Sequence, residues 1–305
     1  MNYSRQKSAR AVITLGFTFL VVLTSFSGII RHDVPVKEYL KLGKQEQFDC
    51  VGEAGGGSCV LISEKYVLSA AHCFVDDDTR ADTLDTLIDG KKMRLVEYFS
   101  INPRVTDFSK VYATFNGRKF KVKQGIIYPG YMDSLTKGAD RCDLALLELE
   151  QAVTFIKPAR IGCTFDELHS NVTGVGYGAF CRADQPESLR VEFNGHRLKI
   201  AGESVIDSVG GPEFENHESL LFCWFVAPDD KMGRHVTRPL EYTCGGGDSG
   251  GGLFRQKGNG WELIGICAGK GGVSYEQLLK KGYYGQWMSW TRLSPFISWI
   301  TAEMK

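Results

Sequence analysis

Cys244-Gly-Gly-Gly-Asp248-Ser249-Gly250-Gly251 is the stretch that decides what this chain is. A serine hydroxyl is a poor nucleophile at its ordinary pKa and needs a neighbouring base. It also needs hydrogen-bond donors aimed at the oxygen that turns negative during attack. Glycine lets the backbone swing its N–H groups toward one point. The amides of Gly247 and Ser249 therefore make a candidate oxyanion hole. A glycine run with one Asp-Ser pair also suits a flexible linker, and on its own the segment leaves both readings open.

Two further segments supply what such a serine lacks. Val67-Leu-Ser-Ala-Ala-His72-Cys73 is an apolar strand that ends in small residues and then a histidine. Small residues let other elements pack close to the imidazole, and histidine is the natural base near neutral pH. Cys142-Asp143-Leu-Ala-Leu-Leu opens an apolar strand with a carboxylate. A carboxylate carried into a packed interior is costly unless it is paired or hydrogen-bonded. A histidine N–H is such a partner, and it would be held in one tautomer by the contact.

The rest of the chain sets the context. Lys plus Arg is 36 and Asp plus Glu is 36 in 305 residues, so no global charge draws the chain to nucleic acid or acidic lipid. With 43% hydrophobic and 24% charged residues the chain is globular in composition. The 35 glycines against 9 prolines, without a Gly-X-Y period, fit many turns and short strands and exclude collagen. Nine cysteines are an odd number, so at least one lacks an intrachain partner if the others pair.

Arg5, Lys7 and Arg10 precede an apolar run from Ala11 to Leu23, followed by small residues. This reads as a signal peptide over residues 1–27, with Ser25 and Ser27 before a cut at Gly28. Residues 11–30 carry no charge and are also long enough to anchor the chain in a bilayer if left uncut. Either outcome places the body in a secreted, extracellular setting, or the periplasm of a bacterium. Residues 28–49 are charged and poorly patterned and read as an extension or propeptide. From Cys50 short β-rich runs dominate, among them Val60-Leu-Ile, Leu263-Ile-Gly-Ile and the alternating Lys119-Phe-Lys-Val-Lys. Asp76-Asp-Asp and Asp82 to Asp89 read as a solvated acidic loop. Ser294-Pro295 starts a helix, with Ser294 as its cap and Phe296, Trp299 and Ile300 on one face. Asn171-Val-Thr173 is a glycosylation acceptor. No Cys-x-x-Cys occurs, and neither a metal nor a cofactor is expected.

The order His72, Asp143, Ser249 resembles that of the trypsin and chymotrypsin family of serine endopeptidases. Val175-Gly-Tyr-Gly, Leu263-Ile-Gly-Ile and Trp290-Thr-Arg-Leu-Ser-Pro-Phe-Ile-Ser-Trp-Ile resemble further segments of that family, and the likeness spans about Cys50 to Ile300. It implies an all-β fold of two six-stranded antiparallel barrels with a C-terminal helix, forming a peptidase domain over residues 50–305. It implies His72 as base and acid, Asp143 as its orienter, Ser249 as nucleophile, and Gly247 and Ser249 as oxyanion-hole donors. It implies protein or peptide substrates, and protease inhibitors as further partners. Asp248 takes the place of the carboxylate that pairs with a freed N-terminus. Yet Arg31, Lys37, Lys41 and Lys44 are followed by His32, Glu38, Leu42 and Gln45, not by the family's Ile-Val-Gly-Gly.

The pocket differs as well. Tyr242 and Thr243 fall at its base and Ala268, Gly269 and Lys270 at its rim. No carboxylate lies at the base, although Glu241 is one position back, so a preference for Lys or Arg is not expected; Lys270 would favour acidic side chains. The resemblance further suggests disulfides Cys59–Cys73, Cys244–Cys267 and Cys50–Cys163. Altered cleft and missing activation start leave a second reading, a non-catalytic homologue that binds partners. An esterase on another fold is a poorer match, since its serine needs a strand-to-helix elbow and no alternating βα pattern surrounds Ser249.

Overall fold

The computed structural model describes residues 28–88, 91–132, 142–184, 197–214, 216–230, 235–271 and 283–304. The signal peptide expected over residues 1–27 lies outside them, as does most of the anchor expected over residues 11–30. No helix among the described residues is long and apolar enough to cross a membrane. The chain divides into two units. One comprises residues 1–23 and 79–99, of which 79–88 and 91–99 are described, as lengths of two paired strands. The other, residues 24–78 and 100–305, holds the elements that matter for function.

The N-terminal part of that larger unit forms strand β1 (Gly28–Ile30) and helix α1 (Val36–Gly43). Next come β2 (Val51–Ala54), β3 (Gly57–Leu61) and β4 (Tyr66–Ser69). The hairpin strands are β5 (Val75–Ile88) and β6 (Lys91–Val105). They are followed by β7 (Tyr112–Phe115), β8 (Arg118–Ile127) and β9 (Ala145–Leu149). Strands β2-β3-β4-β9-β8-β7 close into a barrel. Its filling is aliphatic and aromatic: Val60, Leu68, Phe115, Leu144 and Leu147 are all buried. In β8 the alternation works as the sequence indicates, with Val122 inward and Lys119 and Lys123 outward. Lys121 and Lys123 pair with Glu150 and Glu148 at 2.9 and 2.7 Å, so these lysines form a solvated ionic face. The acidic loop expected from Asp76 to Asp89 is instead strand β5 with its connection to β6, because β6 provides a hydrogen-bonding partner the composition does not reveal.

The second half is built from β10 (Asn171–Gly176), β11 (Phe180–Arg182), β12 (Ile200–Val205), β13 (Ser208–Phe214) and β14 (His217–Trp224). It is completed by β15 (Tyr242–Thr243), β16 (Gly252–Lys257), β17 (Gly260–Gly271) and β18 (Trp287–Arg292). The main sheet has seven strands in the order β12-β10-β16-β17-β18-β14-β13, where six were expected. Its two edge strands are consecutive in the chain and joined only by Ile206 and Asp207. A link that short requires the sheet to curl, and the Asp207 N–H donates to Phe222 O at 2.9 Å, extending the β13–β14 ladder.

Residues 28–43 are not a loose extension. Strand β1 is the middle of a three-stranded sheet, parallel to β11 and antiparallel to β15. Ile29 and Ile30 are 1% and 2% exposed. Tyr39 of α1 is buried and its hydroxyl donates to Glu241 O at 3.0 Å. At the other end, Ser294–Phe296 forms a 3-10 turn that runs into helix α2 (Ile297–Glu303). Phe296 and Ile300 are buried, and the Tyr128 ring meets Phe296 and Trp299 edge-on at 5.1 and 5.2 Å. Ser294 does not cap the helix. Its hydroxyl donates to Glu167 at 2.7 Å, helping to satisfy a carboxylate buried beside Arg292.

Candidate active site

The β4–β9 ladder brings the first two site residues together. Ser69 of β4 is in register with Ala145 of β9. The chain leaving β4 thus turns through Ala70 and Ala71 to His72 opposite the residues that lead into β9, among them Asp143. The Asp143 carboxylate takes both available donors: His72 Nδ1 to Oδ2 at 2.6 Å and the His72 backbone N–H to Oδ1 at 2.9 Å. It is only 7% exposed. Thr291 of β18, which the sequence did not mark, donates its hydroxyl to the Asp143 carbonyl at 3.0 Å and ties this corner to the second sheet. Burial opposes a charge on the imidazole, but the Asp143 carboxylate outweighs it, and the His72 pKa is raised well above its ordinary value.

Strand β3 holds the serine loop from the other side. Ser58 N–H donates to Ser249 O at 2.7 Å and Ser58 Oγ to Gly247 O at 2.8 Å. The thiol of Cys73, next to His72, donates to Ser249 O at 3.8 Å. His72, Asp143 and the Ser249 backbone therefore meet in one place. His72 Nε2 and the Ser249 hydroxyl are not hydrogen-bonded in this structure. Such bonds commonly tighten only with substrate present.

Gly247 adopts φ +93°, a left-handed conformation that favours glycine. The amides of Asp248, Gly250 and Gly251 are spent on Gly245 O, Cys267 O and Asp248 O. Those of Gly247 and Ser249 make no bond to the described chain, as oxyanion-hole donors must.

Asp248 is buried behind the loop at 1% exposure. Its two oxygens accept the backbone N–H groups of Gly178 and Gly245, each at 2.8 Å. Burial raises its pKa, and these two bonds pull against the rise. The Gly176-Tyr-Gly178 turn is explained by the same contact. A Cβ at Gly176 or Gly178 would stand 2.3 or 2.5 Å from Asp248 atoms. Gly178→Ala is therefore expected to displace Asp248 and to slow covalent labelling of Ser249 by an active-site probe about tenfold, read as a second-order rate constant. Unchanged labelling would show that Asp248 does not set the loop.

The pocket residues are distributed differently from expectation. Tyr242 is wholly buried and packs against Gly202 and Gly174 in the second core, so it does not line an opening. Its hydroxyl lies close to Asp248 without an aligned hydrogen bond. Thr243 is buried with its hydroxyl unbonded by the described chain. Ala268, Gly269 and Lys270 form the half-buried length of β17, with a register shift between Cys267 and Gly269. The Lys270 ammonium is buried, 5.8 Å from the Tyr283 ring centre, and its charge acts on Asp248. It is turned inward, which removes the basis for a rim that attracts acidic side chains. Glu241 is fully buried and faces His235 and Ser204, so it adds no carboxylate to the pocket base.

The expected disulfides are not formed in this structure; all nine cysteines are thiols. Cys73 donates to Ser249 O rather than bonding Cys59. Cys244 donates to Gly269 O at 3.4 Å and is hydrogen-bonded to Cys267, whose thiol pKa rises first from that contact and then from burial. Cys50 is buried with a thiol pKa pushed up to about 12, while Cys163 is exposed. Asn171 is exposed at the start of β10, and Thr173 of its sequon is buried.

This architecture, a closed β-barrel packed against a curled sheet with a short C-terminal helix, is that of the chymotrypsin-like class of β proteins. A family model described as trypsin matches residues 44–211, and the chain belongs to the trypsin family. The match includes His72 and Asp143 and ends before Ser249. Among solved structures, the chain is similar to neuropsin, a serine protease expressed in the limbic system of mouse brain. The identity is 16% and the TM-score 0.51, covering 91% of this chain and 100% of that one. No curated protein matches the chain.

Proposed function

We propose that this protein is a secreted serine endopeptidase that hydrolyses peptide bonds through an acyl-enzyme. The observation that carries the proposal is the doubly bonded His72–Asp143 pair, set beside a serine loop whose two free amides belong to Gly247 and Ser249. Ser249 Oγ attacks the scissile carbonyl carbon while His72 Nε2 takes its proton. The imidazolium that forms is stabilised by Asp143, and the carbonyl oxygen, now negative, is held by the two amides. His72 then gives its proton to the leaving amine. Water repeats the sequence on the acyl-enzyme and restores Ser249. Substrates are proteins or peptides without a Lys or Arg requirement, because no carboxylate stands at Thr243. Protease inhibitors of the substrate-mimicking kind are expected partners.

The lack of a hydrogen bond between the His72 and Ser249 side chains favours a second reading, a non-catalytic homologue that binds a partner. A fluorophosphonate probe separates the two. The peptidase reading expects covalent labelling of Ser249 that Ser249→Ala abolishes. Folded protein that resists the probe both before and after limited proteolysis would establish the binding homologue instead.

A further inference from the structure

Away from the catalytic loop, the described residues contain another histidine clamped between carboxylates. His235 Nδ1 meets Asp207 Oδ1 at 2.8 Å, and Nε2 meets Glu241 Oε1 and Oε2 at 3.2 and 3.3 Å. All three side chains are buried or nearly so. The remaining acceptor capacity is also used. Asp207 Oδ2 accepts from Trp224 N–H at 2.7 Å. Glu241 accepts from Arg238 N–H at 2.7 Å and Ser204 Oγ at 3.2 Å. Ring nitrogens that both face carboxylates can both be satisfied only when both carry protons.

The clamp joins two places distant in the chain. Asp207 lies in the two-residue link that joins the edges of the curled sheet. Glu241 immediately precedes Tyr242–Thr243, strand β15. The same stretch holds the N-terminal segment: Tyr39 donates to Glu241 O at 3.0 Å and Arg31 Nη1 to Arg238 O at 2.8 Å. We propose that His235, as an imidazolium cross-linking Asp207 and Glu241, is a positioning residue that fixes the 235–243 stretch and so the floor of the substrate pocket. This rests on Thr243 being that floor in the peptidase proposed above. His235 does not touch substrate and acts only through the backbone it holds.

The groups around the cluster agree with a cationic ring. Facing it are Asp207 and Glu241, with the Cys223 thiol close to both carboxylates. Glu203 accepts from the Leu240 N–H, and Tyr39 and Arg31 meet the stretch only at backbone carbonyls. Burial opposes the charge, but the hydrogen bonds to Asp207 and Glu241 prevail and lift the His235 pKa to about 9. Glu241, by contrast, is pushed up by burial and restrained by His235. For a raised histidine, the contribution to order is complete below the ordinary pKa of about 6.5 and is lost as pH climbs through about 9. A neutral ring has one N–H, so one carboxylate then loses its donor.

The test has an arm that needs no catalysis. In Ser249→Ala protein, amide hydrogen exchange over residues 240–245, corrected for intrinsic rate, is expected to speed at least tenfold between pH 8 and pH 10. In Ser249→Ala/His235→Gln protein it is expected to be fast throughout. In active protein, His235→Gln is expected to raise KM about tenfold at pH 7.5 with kcat changed less than threefold. It should also erase the rise in KM expected above pH 9. Glu241→Gln should keep the fold while lowering the pH of the exchange transition, and it decides the matter if the His235 variant fails to fold. Exchange that ignores pH, or a transition unmoved by Glu241→Gln, overturns the proposal whether or not peptide hydrolysis is observed. Loss of hydrolysis with an intact exchange transition overturns the peptidase reading alone.

Discussion

Asp143→Asn is expected to lower kcat about 10⁴-fold while leaving the fold intact, the size of the loss known for the same His–Asp–Ser constellation. Asn keeps an acceptor for the His72 backbone N–H, which now bonds Oδ1 at 2.9 Å, so the corner holds its shape. The side-chain contact cannot be kept in the same sense. At 2.6 Å from Nδ1 the carboxylate fixes the proton there and leaves the Nε2 lone pair for the serine. An amide NH₂ in that place favours the opposite tautomer, and Nε2 then carries the proton it must accept. The negative charge that should steady the imidazolium is lost as well. His72 is held above its ordinary pKa mainly because Asp143 overcomes the opposition of burial. With Asn the pKa should fall, so the acid limb of kcat should move to lower pH even as its plateau collapses. The stability that the raised His72 contributes is complete below about pH 6.5 and lost as pH passes its folded value, and the variant should lack this dependence. Steady-state hydrolysis of a peptide substrate across pH and thermal melts of both proteins give the comparison. A loss below tenfold would mean that Asp143 is not the orienter.

The three segments around His72, Asp143 and Ser249 could be picked out because each combines a polar residue with tight local packing. Gly247 and Gly250 sit at positive φ and Ala70 and Ala71 are buried around the histidine turn. These are local demands, and sequence records local demands well. The C-terminal helix was legible for the same reason, through the spacing of Phe296 and Ile300. What escaped was set by partners distant in sequence. Strand β1 has three residues, too few for an alternation to show, and it exists because β11 and β15 lie on either side. Strand β5 begins Val-Asp-Asp-Asp, poor β formers, and is ordered by β6. Lys270 looked like a cleft residue because of its register after the Leu263 strand, yet a long flexible side chain can carry its charge several ångströms away, here to a buried position that acts on Asp248. His235 has no neighbouring motif at all; its partners lie 28 residues before it and 6 after.

A chain beginning at Lys44 is expected to lose cooperative folding, whereas one beginning at Gly28 should melt like the full protein. The family match starts at residue 44, and the charged, unpatterned segment before it looks removable. Its contacts say otherwise. Ile29, Ile30 and Tyr39 are buried almost completely. Burial of a large apolar side chain stabilises by roughly 1.5–3 kcal/mol, so the three together contribute about 5–9 kcal/mol as an upper estimate. Domains are typically stable by only about 5–15 kcal/mol. Removing β1 also strips β11 and β15 of their shared partner and leaves buried strand edges without hydrogen bonds. If Thr243 of β15 is the pocket floor, as proposed, the damage would fall on substrate binding even if the first barrel survived. Near-UV circular dichroism and thermal melts separate the outcomes, with Ser249 labelling as the functional readout. A Lys44-initiated chain with an undiminished transition would show the segment to be a true propeptide. The expected result constrains maturation instead. Cuts after Arg31, Lys37 or Lys41 would each sever the segment that pairs with β11 and β15, so an activating cut compatible with this fold is expected at or before Gly28. A leader cut after Ser27, as the sequence suggests, would leave β1 whole.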